Sequence, residues 1–171
     1  LNALELHQTH GRSLEHMQSL NAVATVHQFM GNLTKAREYY ERALALAEES
    51  SSPRIQNFLR ANIANLNLGL GQFERAAATL EQVITAGTDA YPSLRYGQLS
   101  FAQLKLGRHQ DALASAQQAV RLCANPNDCV LALQRRTDVN TALGEDAKAL
   151  ADIDAALTTL EGMRARLVPA D

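Results

Sequence analysis

The chain has 171 residues, of which 46% are hydrophobic and 20% charged, and its net charge is −2. This length can bury a sizeable core in a single domain, and the apolar fraction excludes a wholly disordered chain. The near balance of 16 basic and 18 acidic residues gives no electrostatic footprint for nucleic acid. Nucleic acid is therefore not expected as a partner. A membrane is not expected either, because no apolar run approaches the ~18 residues that a membrane span needs.

Residues 1–12 predict the tail of a second helix that belongs to a preceding repeat. Ala3 and Leu4 precede Ala43 and Leu44 by the same interval that separates later repeats, and Gly11 is expected to end this helix. The chain begins with Leu1 rather than Met, so we expect a segment of a longer, multidomain protein. Its Ala-rich composition, with Arg far more frequent than Lys, is typical of a bacterium with high-GC DNA.

The rest of the chain repeats a pattern four times. Each repeat has a glycine after an apolar residue and an alanine five residues later, and a proline follows the second helical stretch. These glycines are Gly31, Gly71, Gly107 and Gly144, the alanines Ala36, Ala76, Ala112 and Ala149, and the prolines Pro53, Pro92, Pro126 and Pro169. Between these marks, apolar residues recur at i, i+3, i+4 and i+7, which indicates amphipathic helices. The pattern predicts four helix–turn–helix repeats, over residues 14–53, 54–92, 93–126 and 127–168.

These residues resemble the tetratricopeptide repeat. The family has a small residue at position 8, which is Ala24, Ala64, Ser100 and Thr137 here, and residues 31–44, GNLTKAREYYERAL, match it best. Arg136 departs from the pattern, because the family has an aliphatic residue at that position. The resemblance implies an all-α fold, a right-handed superhelix of stacked helix–turn–helix repeats, with a concave groove lined by the first helix of each repeat.

The resemblance also implies which side chains face that groove. The candidate binding residues are Asn21, Thr25, Gln28, Phe58, Asn62, Asn65, Gln98, Phe101, Arg135 and Asp138. Amide side chains offer both a donor and an acceptor, so they can pair with an extended peptide backbone of any sequence. Two alternatives remain open: these residues are plain solvated surface, or a neighbouring domain packs over them. Family members that clamp a carboxylate tail use Lys and Asn where this chain has Asn21 and Thr25, so an acidic C-terminal tail is not expected.

The function expected from this pattern is a protein–protein interaction scaffold that binds a peptide or partner segment in the groove. The alternative is a ligand- or peptide-sensing regulatory array coupled to an effector domain outside this chain. No phosphate-binding loop, GxSxG or HExxH motif is present, so we expect neither an enzyme nor a cofactor. Near His7, His10 and His16 the sequence offers only Glu5 and Glu15 to complete a ligand set, and no metal site is expected. Ends without capping helices are expected to allow self-association.

The two cysteines bear on the compartment. Cys123 and Cys129 flank the turn-rich segment ANPND. Two cysteines in a chain of this size do not form a disulfide framework, so we expect reduced thiols and a cytoplasmic protein. A disulfide between them, or a redox role, is the alternative.

Overall fold

A computed structural model describes residues 3–49 and 52–167, with side chains described over residues 14–49 and 52–166. These residues form helices joined by short turns and contain no strand. The helices are α1 (Ala3–Phe29), α2 (Leu33–Glu49), α3 (Pro53–Gly69), α4 (Phe73–Thr85), α5 (Pro92–Lys105), α6 (His109–Leu122), α7 (Pro126–Ala142) and α8 (Asp146–Leu167). The odd-numbered helices are called first helices and the even-numbered ones second helices. The predicted all-α class and helix–turn–helix pairing are confirmed.

The helices fall into two compact units. Unit 1 is Leu1–Asp89 and contains α1 to α4, whereas unit 2 is Ala90–Asp171 and contains α5 to α8. Within unit 1, α3 packs against α2 as well as α4; within unit 2, α7 packs against α5, α6 and α8. The repeat limits drawn from the sequence stay predictions.

Each first helix ends two residues before the turn glycine predicted for it. Gly31, Gly71, Gly107 and Gly144 all have φ between +71° and +77°, the left-handed region that a side chain disfavours. The amide after each glycine donates to a carbonyl five residues earlier in the chain, for example Asn32 N to His27 O at 2.8 Å and Glu145 N to Asn140 O at 2.9 Å. This is the Schellman arrangement, which closes the last turn of a helix.

Proline begins three of the four first helices, α3, α5 and α7. Its fixed φ and missing N–H suit the first helical position, where no intrahelical hydrogen bond is made. Pro169 lies outside the described residues. The expected helix end at Gly11 is wrong, because α1 continues through that residue from Ala3 to Phe29. Whether residues 1–12 belong to a preceding repeat stays a prediction.

The predicted small residues form the contacts between helices. Ala36, Ala64, Ala76 and Ala112 are fully buried, and Ala149 is nearly so. In unit 1 a cluster of buried side chains joins α1, α2 and α3; in unit 2 a smaller one joins α6 and α7. Small side chains at these crossings let helix backbones approach closely, which is why the repeat keeps alanine there.

The two cysteines form a disulfide bridge, so the expectation of reduced thiols is wrong in this structure. Cys123 follows α6, and Cys129 lies in the first turn of α7. Between them, the Asn125 side chain accepts a hydrogen bond of 3.0 Å from the Asp128 amide and caps α7. The bridge and the cap therefore hold the same junction between α6 and α7.

In three repeats, a polar or aromatic side chain of the first helix contacts one of the second helix at the same pair of positions. The first-helix residue stands four residues before the turn glycine, and the second-helix residue stands eight residues after it. Gln103 accepts a hydrogen bond from Ser115 at 2.7 Å, and Asn140 donates to Asp152 at 3.0 Å. At the same place in the first repeat the rings of His27 and Tyr39 stack, with centroids 5.5 Å apart. We call these three contacts the crossing pairs.

Asp152 also explains the unusual Arg136. The Arg136 guanidinium donates to both Asp152 carboxylate oxygens, with Nε 3.0 Å from Oδ2. The carboxylate is buried and the guanidinium is partly exposed. An ion pair thus replaces the aliphatic contact expected from the family pattern.

Candidate functional site

In unit 1, the first-helix faces bring two predicted amides together. Asn62 of α3 donates from its Nδ2 to the Oδ1 of Asn21 on α1 at 2.8 Å. Both side chains are half-buried. This bond leaves the Asn21 amide NH₂ as a donor and the Asn62 Oδ1 as an acceptor on the same surface. The pair is therefore suited to a ligand that offers a C=O and an N–H side by side.

Two other predicted residues of α1 are tied to the core. The buried Tyr40 hydroxyl donates to Gln28 Oε1 at 3.0 Å and lies 3.1 Å from the hydroxyl oxygen of Thr25. The Thr25 hydroxyl oxygen also lies 2.9 Å from the backbone carbonyl oxygen of Asn21. Burial raises the pKa of Tyr40 above its ordinary value, although the hydrogen bond with Thr25 opposes this effect. Thr25 and Gln28 thus anchor α1 on α2 as well as bordering the candidate site.

The remaining predicted residues of unit 1 lie on α3. Phe58 is exposed over 41% of its surface. Asn65 is also exposed, and it follows Asn62 by one helical turn. The α3 surface therefore combines an aromatic side chain with two amides.

In unit 2, the predicted residues centre on Phe101 of α5. The Arg135 guanidinium carbon lies 4.9 Å from the centre of the Phe101 ring, and Lys105 Nζ lies 5.4 Å from it. Such distances allow each cation to interact with the ring's π electrons. Arg135 also pairs with Asp138 at 3.4 Å, one turn further along α7. We call Phe101, Lys105 and Arg135 the cation–aromatic platform.

Other residues of α5 lie next to the platform. Gln98 accepts a hydrogen bond of 3.1 Å from Arg95, whose side chain is buried. The Arg135 side chain packs over Gly97 of α5, since a Cβ added at Gly97 would stand 3.6 Å from it, in ordinary van der Waals contact. Lys105 is absent from the ten predicted residues. Its position four residues after Phe101, on the same face of a helix, was the available signal.

The predicted site residues therefore form two groups, one in each unit. Asn21, Thr25, Gln28, Phe58, Asn62 and Asn65 belong to unit 1, and Gln98, Phe101, Arg135 and Asp138 belong to unit 2. Direct contacts join Asn21 with Asn62 and Arg135 with both Phe101 and Asp138. That any of these residues binds a ligand stays a prediction.

Over the part of the chain that the structure describes, no three His, Cys, Asp or Glu side chains are grouped to hold a metal ion. The side chains of His7 and His10 lie outside that part. No helix in the described ranges is both long and apolar enough to span a membrane. A cytoplasmic location, which rested on reduced thiols, stays a prediction.

Residues 15–89 match the family model described as Tetratricopeptide repeat. These residues cover nearly all of the first two repeats predicted from the glycine and proline pattern, 14–53 and 54–92. No curated protein sequence matches the chain at a significant level.

Solved structures of similar fold cover most of the chain. BtubC (BKLC) from P. vanneervenii has a TM-score of 0.76 and 21% identity, over 86% of this chain and 64% of that one. A putative kinesin light chain from Podosopora anserina, with nearly identical TPR-like repeats, has a TM-score of 0.70 and 16% identity, over 86% and 76%. YrrB, a TPR protein with an unusual peptide-binding site, has a TM-score of 0.59 and 22% identity, over 82% and 66%.

At these identities the likeness establishes the fold. The chain spans 64% of the length of BtubC, slightly less than two thirds. The family match in the first two repeats and the common fold along most of the chain agree with the glycine, proline and alanine pattern. Residues 15–89 therefore match the tetratricopeptide-repeat family, and most of the chain has the fold of solved proteins with TPR or TPR-like repeats.

Proposed function

We propose that this chain is a protein-interaction scaffold whose first helices bind an extended segment of a partner protein. The observation that carries the proposal is the Asn21–Asn62 amide pair in unit 1. Its remaining donor and acceptor match a peptide backbone C=O and N–H, which every peptide offers whatever its sequence. The proposal assigns no reaction to the chain.

The cation–aromatic platform of unit 2 supports the same function. Aromatic and arginine side chains are enriched at protein interfaces and often contribute most of the binding energy. In this platform the Phe101 ring offers apolar surface, while Lys105 and Arg135 add positive charge at its edges. A partner side chain that is apolar with an acidic neighbour fits this arrangement.

The comparison with YrrB adds independent support, because that protein has the same fold and a peptide-binding site. The position of the binding surface is inferred from the residues of this chain. We therefore place the binding surfaces on α1 and α3 in unit 1 and on α5 and α7 in unit 2.

The proposal is tested with a phage-displayed peptide library selected against the whole chain. Selected peptides are synthesised with a fluorescent label, and their dissociation constants are measured by fluorescence anisotropy. Asn62→Ala removes one neutral hydrogen bond, so affinity should fall about two- to tenfold. Phe101→Ala should weaken those peptides that use unit 2.

Matched controls come from the second helices. Gln82 of α4 and Gln117 of α6 are exposed amides outside the proposed surfaces. Gln82→Ala and Gln117→Ala should leave every dissociation constant unchanged. If the combined variant Asn62→Ala, Asn65→Ala, Phe101→Ala keeps its helical circular dichroism and binds every selected peptide as the parent does, the proposal is wrong.

A further inference from the structure

Within each unit, one pair of positions makes the contact between successive repeats. In unit 1, Leu66, five residues before Gly71, packs in one cluster with Tyr40, nine residues after Gly31. In unit 2, Val139, five residues before Gly144, packs in one cluster with Ala116, nine residues after Gly107. These four side chains are between 0% and 2% exposed. The contact joins a second helix to the first helix of the next repeat.

The equivalent position on α8 lies open. Ile153, nine residues after Gly144, is 43% exposed. Leu150, Leu157 and Leu160 on the same face of α8 are also exposed. With Val130 of α7, three of these side chains line an apolar groove of about 220 Å³ between α7 and α8. We call this surface the α8 face.

The complementary position on α1 is open too. Val26, five residues before Gly31, is 56% exposed, whereas Leu66 and Val139 at the same place in α3 and α7 are fully buried. Val23 and Met30, one turn before and one turn after Val26, are exposed as well. We call Val23, Val26 and Met30 the α1 face.

We propose that the α8 face of one copy of this chain binds the α1 face of a second copy, head to tail, with Val26 against Ile153. The proposal goes beyond the peptide-binding function and concerns different surfaces. The occupant is a second copy because one chain carries both halves of a contact that it already makes twice inside itself. Neither face places a charged residue at its contact positions, so docking buries apolar surface without burying a charge.

Such a contact is heterologous, because the two faces that meet are different. A bound pair therefore still has one open face at each end and can add further copies. Sedimentation velocity of the whole chain over a range of concentrations measures this directly. The weight-average mass should rise with concentration from the 18.6 kDa of one chain to twice that value and beyond.

Two variants separate head-to-tail docking from other modes. Val26→Glu blocks the α1 face and Ile153→Glu blocks the α8 face, and each alone should stay monomeric because a glutamate would have to enter an apolar contact. Mixed in equal amounts, they should form a dimer of one copy of each, which stops at that size. This recovery is possible only if the two faces bind each other.

The matched control is Ala155→Glu, because Ala155 is exposed on the opposite side of α8. It adds the same charge and should leave association unchanged. Thermal unfolding confirms that each variant is folded; if a glutamate destabilises the fold, Val23→Ser and Leu157→Ser test the same two faces more mildly. A parent chain that stays monomeric at every concentration overturns the proposal. So does a Val26→Glu chain that associates like the parent.

Discussion

Asp152→Ala should destabilise unit 2 through the groups that this carboxylate holds. Asp152 is buried and accepts hydrogen bonds from the Arg136 guanidinium and from Asn140 Nδ2, the latter at 3.0 Å. Removing one partner of a buried ion pair typically costs ~3–5 kcal/mol, because the other charge stays behind without compensation. The Arg136 side chain is 28% exposed and can turn partly towards water, so we expect a smaller loss of ~2–3 kcal/mol.

Urea and thermal unfolding, followed by far-UV circular dichroism, measure this loss. A decrease of this size should lower the melting temperature by about 4–12 °C for a chain of this length. The control is Asp154→Ala on the same helix, where the carboxylate is exposed and the change should be within about 0.5 kcal/mol.

A second substitution tests the cause. Arg136 stands where α3 has Ile63, eight residues before the turn glycine, so Arg136→Leu restores an aliphatic residue there. Added to Asp152→Ala, it should recover part of the lost stability, because it removes the unpaired charge. Equal stability of Asp152→Ala and Asp154→Ala, or a double variant less stable than Asp152→Ala alone, would refute the reasoning.

Three further predictions concern other parts of the chain. Burial raises the pKa of Tyr40, so the folded state disfavours ionisation of this side chain. The contribution of Tyr40 to the free energy of unfolding is therefore constant below about pH 10 and falls as the pH rises beyond that value. Tyr40→Phe should cost ~0.5–1.5 kcal/mol in urea unfolding at neutral pH, and this difference should shrink above pH 10. Gly71→Ala at φ +71° should lose ~1 kcal/mol, whereas Gly69→Ala, two residues earlier in α3, should be neutral or stabilising in the same assay. Reduction of the Cys123–Cys129 bridge should lower the melting temperature by about 4–8 °C, because the open loop gives the unfolded chain conformational entropy equivalent to ~2 kcal/mol. An unchanged melting temperature would show that the bridge does not constrain the unfolded chain.

The fold was predictable because the sequence features that indicate it depend on short stretches of the chain. A glycine with positive φ and a proline at the start of a first helix each depend on the backbone around them, and the spacing of the alanines follows the period of a single helix. The continuous α1 was not predictable in this way, because Gly11 is tolerated inside a helix at a modest energetic cost. The disulfide was missed because the argument from composition concerns compartments rather than the distance between two particular residues.

The candidate site was predictable only as a set of residues. The sequence shows that Asn21, Asn62 and Phe101 have suitable chemistry, but not which groups they meet. The Asn21–Asn62 bond joins residues 41 positions apart, and Arg135 reaches Phe101 from a different helix. Such contacts depend on the distance and rotation between helices, which the period of a single helix does not contain.

The crossing pairs bear on how similar repeats avoid exchanging partners. Repeats with equal patterns of alanine and leucine offer nearly equal hydrophobic contacts to several neighbours, and domain-swapped or misassembled forms are a hazard of such arrays. Each crossing pair differs in chemistry: stacked rings in the first repeat, an amide and a hydroxyl in the third, an amide and a carboxylate in the fourth. If α7 paired with α6 in place of α8, Asn140 would meet Ser115, and Asp152 would lose the donors that offset its burial. The first, third and fourth helix hairpins thus each hold a contact of different chemistry, half-buried in the first and buried in the other two. These contacts favour pairing of each helix with its neighbour in sequence, even where the apolar faces are similar.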